Sequence, residues 1–270
     1  MTSTEANPPP VVRELRTVSA VDAVGDDLRR RMFAGELVGG ELLKEAVVAA
    51  EYGVSRSTAK AAIEKLTAEG LLERSANRSA RVPRLTAADV HDIYRTRLRL
   101  ESSALRELAA ARRAPREAAE ANARVRAAGA AVGGAGVAGT AGEPGSAGRA
   151  PSVDGEGASG AVVGGARAVG TAGGPGSAIA SVEPDMRFHA ALVEAIGSER
   201  LERMYGSLVG EARLCMVQVQ GRSLLAVDRI ADEHDEILRR LAAGDADGAV
   251  EVLTVHLTRA SERLEAALDA

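Results

Sequence analysis

The sequence predicts a mainly α protein: an N-terminal winged helix-turn-helix, then an all-helical bundle interrupted by a Gly/Ala-rich disordered insertion. Three observations predict it. Residues 48–83 run as helix, tight turn, helix and hairpin around Gly53-Val54-Ser55-Arg56. From about residue 85 onward, apolar residues recur at helical spacing. Between them, residues 129–178 hold 17 of the chain's 29 glycines, with too few large apolar residues to offset the entropy of ordering.

The elements follow in order. Residues 1–17, with Pro8-Pro9-Pro10, read as a disordered arm, and 18–84 as the winged helix-turn-helix. Ser19 and Asp22 form a capping-box-like start, and Val21, Val24, Leu28 and Met32 mark one helix face until Gly35 stops it. A second helix from about Lys44 to Glu51 turns Val47 and Val48 inward and ends at Gly53. Ser55 caps a third helix that reaches about Glu69, with Ala59, Ile63 and Leu66 on its apolar side and Gly70 beyond. Residues 71–74 and 80–82 then flank a wing at 75–79.

A helix-turn-helix sets its second helix in the DNA major groove, and a wing beside it can touch phosphates. Arg56, Ser57, Thr58 and Lys60 lie outward at the start of the third helix, behind Ser55, and Arg78 lies on the wing. These types donate to phosphates and base edges, so they are the candidate DNA contacts. The chain carries a net charge of −4, yet residues 54–84 hold seven Lys/Arg against three acids. A solvated charged face or a protein-binding winged helix is the alternative reading.

The stretch is similar to the GntR family of bacterial transcription regulators. Gly35 to Leu43, Glu45, Val48-Ala49, Gly53-Val54-Ser55-Arg56, Ala62-Ile63, Leu66 and Gly70-Leu71 carry the resemblance over about 65 residues. The chain departs from the family pattern with Gly39 for Pro, Ala46 for a frequently basic residue, Ala59 for Val, Lys60 for Arg and Ser79 for Gly. Lysine lacks the planar bidentate fork of arginine, so Lys60 implies an altered base preference.

The four histidines are the next constellation. On a helical wheel Asp185 and His189, four apart, fall inside the arc of Phe188, Leu192, Val193 and Ile196. His234 falls among Val227, Ile230, Ile237, Leu238 and Leu241, His256 among Val252, Leu253 and Ala260, and His91 at the edge of its stripe. One inward histidine is usually a satisfied core residue. Three with an i,i+4 aspartate suit a divalent transition metal such as Zn, Ni, Mn or Fe, which the facing helices of a bundle can share.

On the first helix of this half, after a capping-box-like Thr86 and Asp89, Arg97 and Glu101 lie mid-stripe among Val90, Ile93, Tyr94, Leu98 and Leu105. Either they form an i,i+4 salt bridge at a domain interface, or the guanidinium holds a carboxylate ligand.

Residues 85–270 resemble the FadR-type FCD effector domain. Asp185, Phe188-His189, Leu192, Glu233-His234, Ile237, Asp245, Ala249 and His256 carry the match, with Ser198 replacing a common Asn. The resemblance implies that Asp185, His189, His234 and His256 are metal ligands and that Arg97 faces an effector cavity. It further implies a homodimer on double-stranded DNA at a palindromic operator, most often a repressor released by a small carboxylate effector.

The bounds agree with this expectation. The lone Cys215 makes no internal disulfide, and there is no signal peptide and no membrane-spanning run, so a cytoplasmic, non-membrane location is expected. The near-duplication of 139–147 at 170–178 fits an expanded low-complexity insertion, at about 129–180, better than a solenoid. The expected protein is no enzyme. Two other readings stay open: a metal-dependent hydrolase using the same His/Asp set, though no separate general base is legible, and a DNA-binding dimer with a purely structural metal.

Overall fold

A computed structural model describes residues 19–75, 79–134, 175–219 and 227–269. The expected disordered arm, the wing residue Arg78 and most of the expected insertion lie outside the described residues. The chain divides into two compact units, residues 1–84 and 85–270.

In the first unit α1 (Ala20–Phe33) opens on Ser19, whose hydroxyl accepts from the Asp22 amide at 3.1 Å, and Gly35 leaves it at φ 75°. Next come β1 (Leu42–Lys44), α2 (Glu45–Glu51), α3 (Arg56–Ala68), β2 (Glu73–Ser75) and β3 (Ser79–Arg81). The turn between α2 and α3 passes through Gly53 at φ 62°, and Ser55 caps α3 through the Thr58 amide. Leu28, Met32, Ala59, Ile63, Leu66 and Val82 form the core of this unit, all nearly inaccessible. Arg29 with Glu69 at 2.6 Å and Lys65 with Asp22 at 2.8 Å tie α1 to α3 around it.

Two details differ from the sequence reading. Among the described residues the sheet has three strands in the order β1-β3-β2, both pairs antiparallel, with Leu43 and Arg74 on either side of Ala80. β1 went unread because three residues are too few for an alternating pattern to show, although Leu43 alone of the three is buried. Val47, expected to point inward, is 59% exposed. α2 is only seven residues long and buries Val48 and Ala49; a neighbour 100° round the helix must then face solvent. Gly40, just before β1, sits at φ 89°, a left-handed conformation that favours glycine, with the movable end of the Arg84 side chain laid against it.

In the described part of the second unit, a helical bundle is built from α4 (Ala87–Ala110), α5 (Arg116–Gly134), α6 (Pro175–Glu194), α7 (Glu199–Gln218), α8 (Val227–Ala243) and α9 (Ala246–Asp269). α4 lies along α9, and α5 packs against both α6 and α8. Val90, Leu105, Phe188, Leu192, Ile237, Leu241, Leu253 and Leu257 make a continuous core, in which leucine and isoleucine do the work that scarce aromatics cannot. Thr86 and Asp89 complete a reciprocal capping box at the start of α4, and Ser198 caps α7 through the Leu201 amide. Helix continues to Gly134 and resumes at Pro175, inside the segment expected as linker from 129 to 180. The alanines around Gly129 outweigh its helix penalty, and proline is tolerated in the first turn of α6.

Candidate metal centre and nucleic-acid interface

Asp185 and His189 stand one turn apart on α6, His234 on α8 and His256 on α9. One ligand atom from each can be chosen such that all four lie within 4.8 Å of one another, and all four side chains are buried. The inner atoms are nitrogens Nε2 and oxygen Oδ1. His189 Nε2 is 3.2 Å from His256 Nε2, and Asp185 Oδ1 is 3.5 Å from His234 Nε2 and 4.0 Å from His189 Nε2.

What fixes these inner atoms is the ring of partners behind them. Nδ1 of His189 lies 2.6 Å from Glu101 Oε2, Nδ1 of His256 2.9 Å from Glu233 Oε2, and Nδ1 of His234 3.1 Å from Asn122 Oδ1. The Asn122 amide is itself oriented, since its Nδ2 donates to the Ala231 carbonyl at 2.9 Å and to Asp235 at 2.6 Å. Each acceptor therefore assigns the proton to Nδ1 and leaves the Nε2 lone pair inward, the tautomer of a metal-ligating imidazole. Phe188 stacks on the His234 ring at 3.6 Å and 8°, holding its plane.

Ionisation agrees with ligation. Burial drives the His234 pKa well below the ordinary histidine value, assisted by the charges of His256, His189 and Arg97, and burial likewise lowers His189. Burial opposes the Glu101 carboxylate, yet its contacts with His189, Arg97 and Tyr205 bring its pKa down to about 2. Glu233 is also held at about 2: its partial burial works the other way, but hydrogen bonds from His256 and Arg259 prevail.

The donor set fits a metal ion on two observations of this fold. Asp185 Oδ1 and His234 Nε2 are buried with no hydrogen-bond partner. The facing Nε2 atoms of His189 and His256 share no proton once both rings are protonated at Nδ1. A cation among them satisfies all four atoms at once, and nitrogen with carboxylate suits borderline divalent metals.

Beside this cluster, Arg97 is 1% exposed and its Nε lies 3.1 Å from Glu101 Oε1. The i,i+4 pair expected as one reading thus exists, but within the helical unit. The guanidinium is not used up: Nη2 has no partner, and neither has the Tyr94 hydroxyl, over whose ring the guanidinium carbon sits at 4.9 Å. Both residues line a cleft together with Asp185, Glu233 and His256. Glu101 also accepts from the Tyr205 hydroxyl at 2.6 Å. His91, read at the edge of its stripe, is exposed and 3.6 Å from Glu265.

Sequence reasoning passed over Asn122, Tyr94 and Tyr205. Asn122 had a signal, because it interrupts the buried stripe of Ala118, Ala121 and Val125 on α5. The tyrosines had none, being ordinary members of apolar faces.

In the first unit Ser55, Arg56, Ser57 and Lys60 are exposed at the start of α3 and Thr58 is half-buried. Thr58 and Ser57 hydroxyls both lie 2.8 Å from that of Ser55. Lys60 is 3.7 Å from Glu64, which also takes Arg74 at 2.7 Å. α3 thus presents a polar, basic N-terminal face.

Comparison with known proteins agrees with both halves. Residues 20–82 match the bacterial regulatory proteins of the gntR family, and residues 166–259 match the FCD domain. The chain therefore carries a GntR-family helix-turn-helix domain and a C-terminal FCD domain, the FadR-type combination. It is 35% identical over 80 residues to the HTH-type transcriptional regulator YdhC of Bacillus subtilis, covering 30% of this chain and 36% of that protein. It is 37% identical over 79 residues to the gluconate operon transcriptional repressor of the same organism, covering 29% and 32%. These alignments span about a third of each relative's length. Among solved structures, a GntR transcriptional regulator of Rhodococcus sp. RHA1 superposes with a TM-score of 0.66 at 21% identity, covering 92% of this chain and 98% of that one. E. coli McbR/YncC does so at 0.62 and 17% identity, again over 92% and 98%. At these identities the likeness concerns the fold. No helix among the described residues is long and apolar enough to cross a membrane.

Proposed function

We propose that the protein is a cytoplasmic, sequence-specific transcription regulator, a repressor, whose operator affinity is set by a small organic acid bound at a metal site in the helical unit. The convergence of three Nε2 atoms and one carboxylate oxygen, each imidazole locked from behind by Glu101, Asn122 or Glu233, carries the reading. Asp185, His189, His234 and His256 would hold a divalent transition metal, Zn, Ni, Mn or Fe. Such an ion supplies a Lewis-acidic centre for an acid's oxygens whenever its preferred coordination exceeds four ligands.

The chain's own groups complete the pocket. Arg97 offers the free Nη2 and Tyr94 its hydroxyl toward the cleft, one cationic and one neutral donor suited to a carboxylate. These donors favour a sensing metal over a purely structural one, because a structural centre leaves them without purpose. Among the described residues, the carboxylates beside the cluster are already committed to histidine or arginine, so a hydrolase in need of a general base gains no support.

α4 begins at Ala87, with five residues between it and the end of β3 at Arg81, and carries Tyr94, Arg97 and Glu101. A ligand bound on α4 would bias one helix arrangement over another, and that bias would reach the wing through this short connection. In a homodimer on a palindromic site, the outcome is altered spacing of two recognition helices, with Ser55, Arg56, Ser57, Thr58, Lys60 and Arg78 at the DNA.

The test is a gel shift with the DNA upstream of the protein's own coding sequence, using metal-loaded protein and a panel of small carboxylates. Release of an inverted-repeat fragment by an acid, abolished in His234→Ala, is the expected result. Retention of every fragment whatever acid is added, with metal bound at about one per chain, would favour the structural metal. Equal affinity for an isolated half-site would count against the dimer.

A further inference from the structure

The cleft beside the metal centre has one polar end, and the charges elsewhere on its lining are already committed. Arg229 Nε donates to Glu233 Oε1 at 3.2 Å, Arg259 donates to the same oxygen, and Arg263 has a partner too. His256 Nδ1 holds the other oxygen of Glu233 at 2.9 Å. Among the described residues lining the cleft, the buried donors left without a partner are Arg97 Nη2 and the Tyr94 hydroxyl, both on α4. Met216, Ile230, Leu257 and Ala260 make up the rest of the lining, and none of these side chains carries a donor.

The apolar residues stand outward of the ligands. Ile230 precedes His234 by one turn on α8, and Ala260 follows His256 by one turn on α9. The two helices are consecutive, pack on each other and are joined only through Gly244 and Asp245, so they run antiparallel. Both steps therefore lead the same way, about 6 Å along each helix. Charge points to a single anion as well. Arg97 is balanced by Glu101, whose Oε1 lies 3.1 Å from its Nε. A divalent ion held by Asp185 and three neutral imidazoles keeps one positive charge, which one carboxylate balances. A second carboxylate, laid against the apolar wall, would be an ion out of water with no counter-charge.

We propose that the ligand of this cleft is a short-chain aliphatic monocarboxylate, its carboxylate at the Arg97 and Tyr94 end beside the metal ligands and its hydrocarbon tail along Met216, Ile230, Leu257 and Ala260. This deepens the acid-sensing reading and rests on it. The carboxylate gains a charge-assisted hydrogen bond from Arg97 and a neutral one from Tyr94. Each methylene of the tail leaves water for the apolar wall, and Met216 can adapt its shape to the tail it covers. Arg229 and Arg259 serve to hold Glu233, and through it His256.

The experiment is calorimetric titration of the metal-loaded full chain with acetate, propionate and butyrate, beside succinate, which matches butyrate in length. The same series is run on Ala260→Leu, whose larger side chain fills the wall, with metal content measured in both proteins. In the parent, affinity should rise about fourfold with each added methylene, and butyrate should bind at least about tenfold tighter than succinate. In the variant the rise should flatten with metal retained. Succinate binding as tightly as butyrate, or an affinity that ignores chain length, would overturn the aliphatic monocarboxylate while leaving the acid-sensing reading in place. A rise that survives intact in Ala260→Leu would overturn the assignment of the tail to this wall. Binding of no acid would overturn both readings together. If Ala260→Leu loses its metal, Ile230→Val replaces it, and a chain-length preference that does not move there overturns the wall.

Discussion

Glu101 and His189 meet between α4 and α6, with carboxylate Oε2 2.6 Å from imidazole Nδ1 and both side chains wholly enclosed. The pair joins the helix that carries Arg97 to the helix that carries two candidate metal ligands. Glu101→Gln keeps the shape and an oxygen for Nδ1 but removes the charge that balances Arg97, so metal affinity should fall about 10–100-fold and stability should fall as well, by less than in the Ala variant. Glu101→Ala strands the Arg97 charge in the core and should cost about 3–5 kcal/mol. Chelator competition and denaturant melts measure the two effects; undiminished metal affinity in the Gln variant would remove Glu101 from the centre.

Asn122 performs the same service for His234 from α5, through a neutral amide. Asn122→Ala frees the His234 ring to change tautomer while the Phe188 stack remains. Metal affinity should drop about tenfold, the lower end of what an outer partner contributes. Asn122→Asp keeps an acceptor for Nδ1 but sets its second oxygen against the Ala231 carbonyl and the Asp235 carboxylate, so it should not restore the parent affinity. Failure of both variants to differ from the parent would mean that stacking alone orients the ring.

Removing metal should destabilise the helical unit. With the ion gone, Asp185 Oδ1 and His234 Nε2 stay buried without partners. A metal at a thousandfold excess over its Kd stabilises by about 4 kcal/mol. Melts of the full chain with and without chelator should therefore separate by several degrees, and that gap should vanish in His234→Ala. A gap that persists in the variant would place the metal elsewhere.

At the proposed DNA face, Arg56→Ala and Lys60→Ala test the two exposed cations at the start of α3. A side chain that reads a base should cost about 1–3 kcal/mol of binding when truncated and relax specificity; one that grips a phosphate should lower the salt-dependence slope by about one. Fluorescence anisotropy over a range of salt distinguishes them. Lys60→Arg offers the fork that Lys60 lacks and should sharpen any guanine preference. Ser55→Ala should cost about 1 kcal/mol of stability by removing the helix cap, whatever it does to DNA.

Much of this was legible in the chain before folding. Helical faces, the caps at Ser19, Ser55 and Thr86, and the glycine stops at 35, 53 and 70 follow from local rules, since each depends on residues within one or two turns. The wheel also turned His189, His234 and His256 inward, and all three are buried. Local rules failed where the decision was not local. β1 exists only because β3 lies beside it, and Val47 faces solvent because α2 is too short to bury two adjacent valines.

What the sequence by itself determined is the class of protein and the inward set of candidate ligand side chains, because periodicity fixes the face on which each residue sits. Only the tertiary structure decided that α6, α8 and α9 bring those faces to one point, that α4 and α5 supply Glu101 and Asn122 behind them, and that one nitrogen of Arg97 is left over. The physical reason is that spacing along a helix sets an angle about its own axis. Which axes lie side by side, and at what height, is set by how the whole core packs.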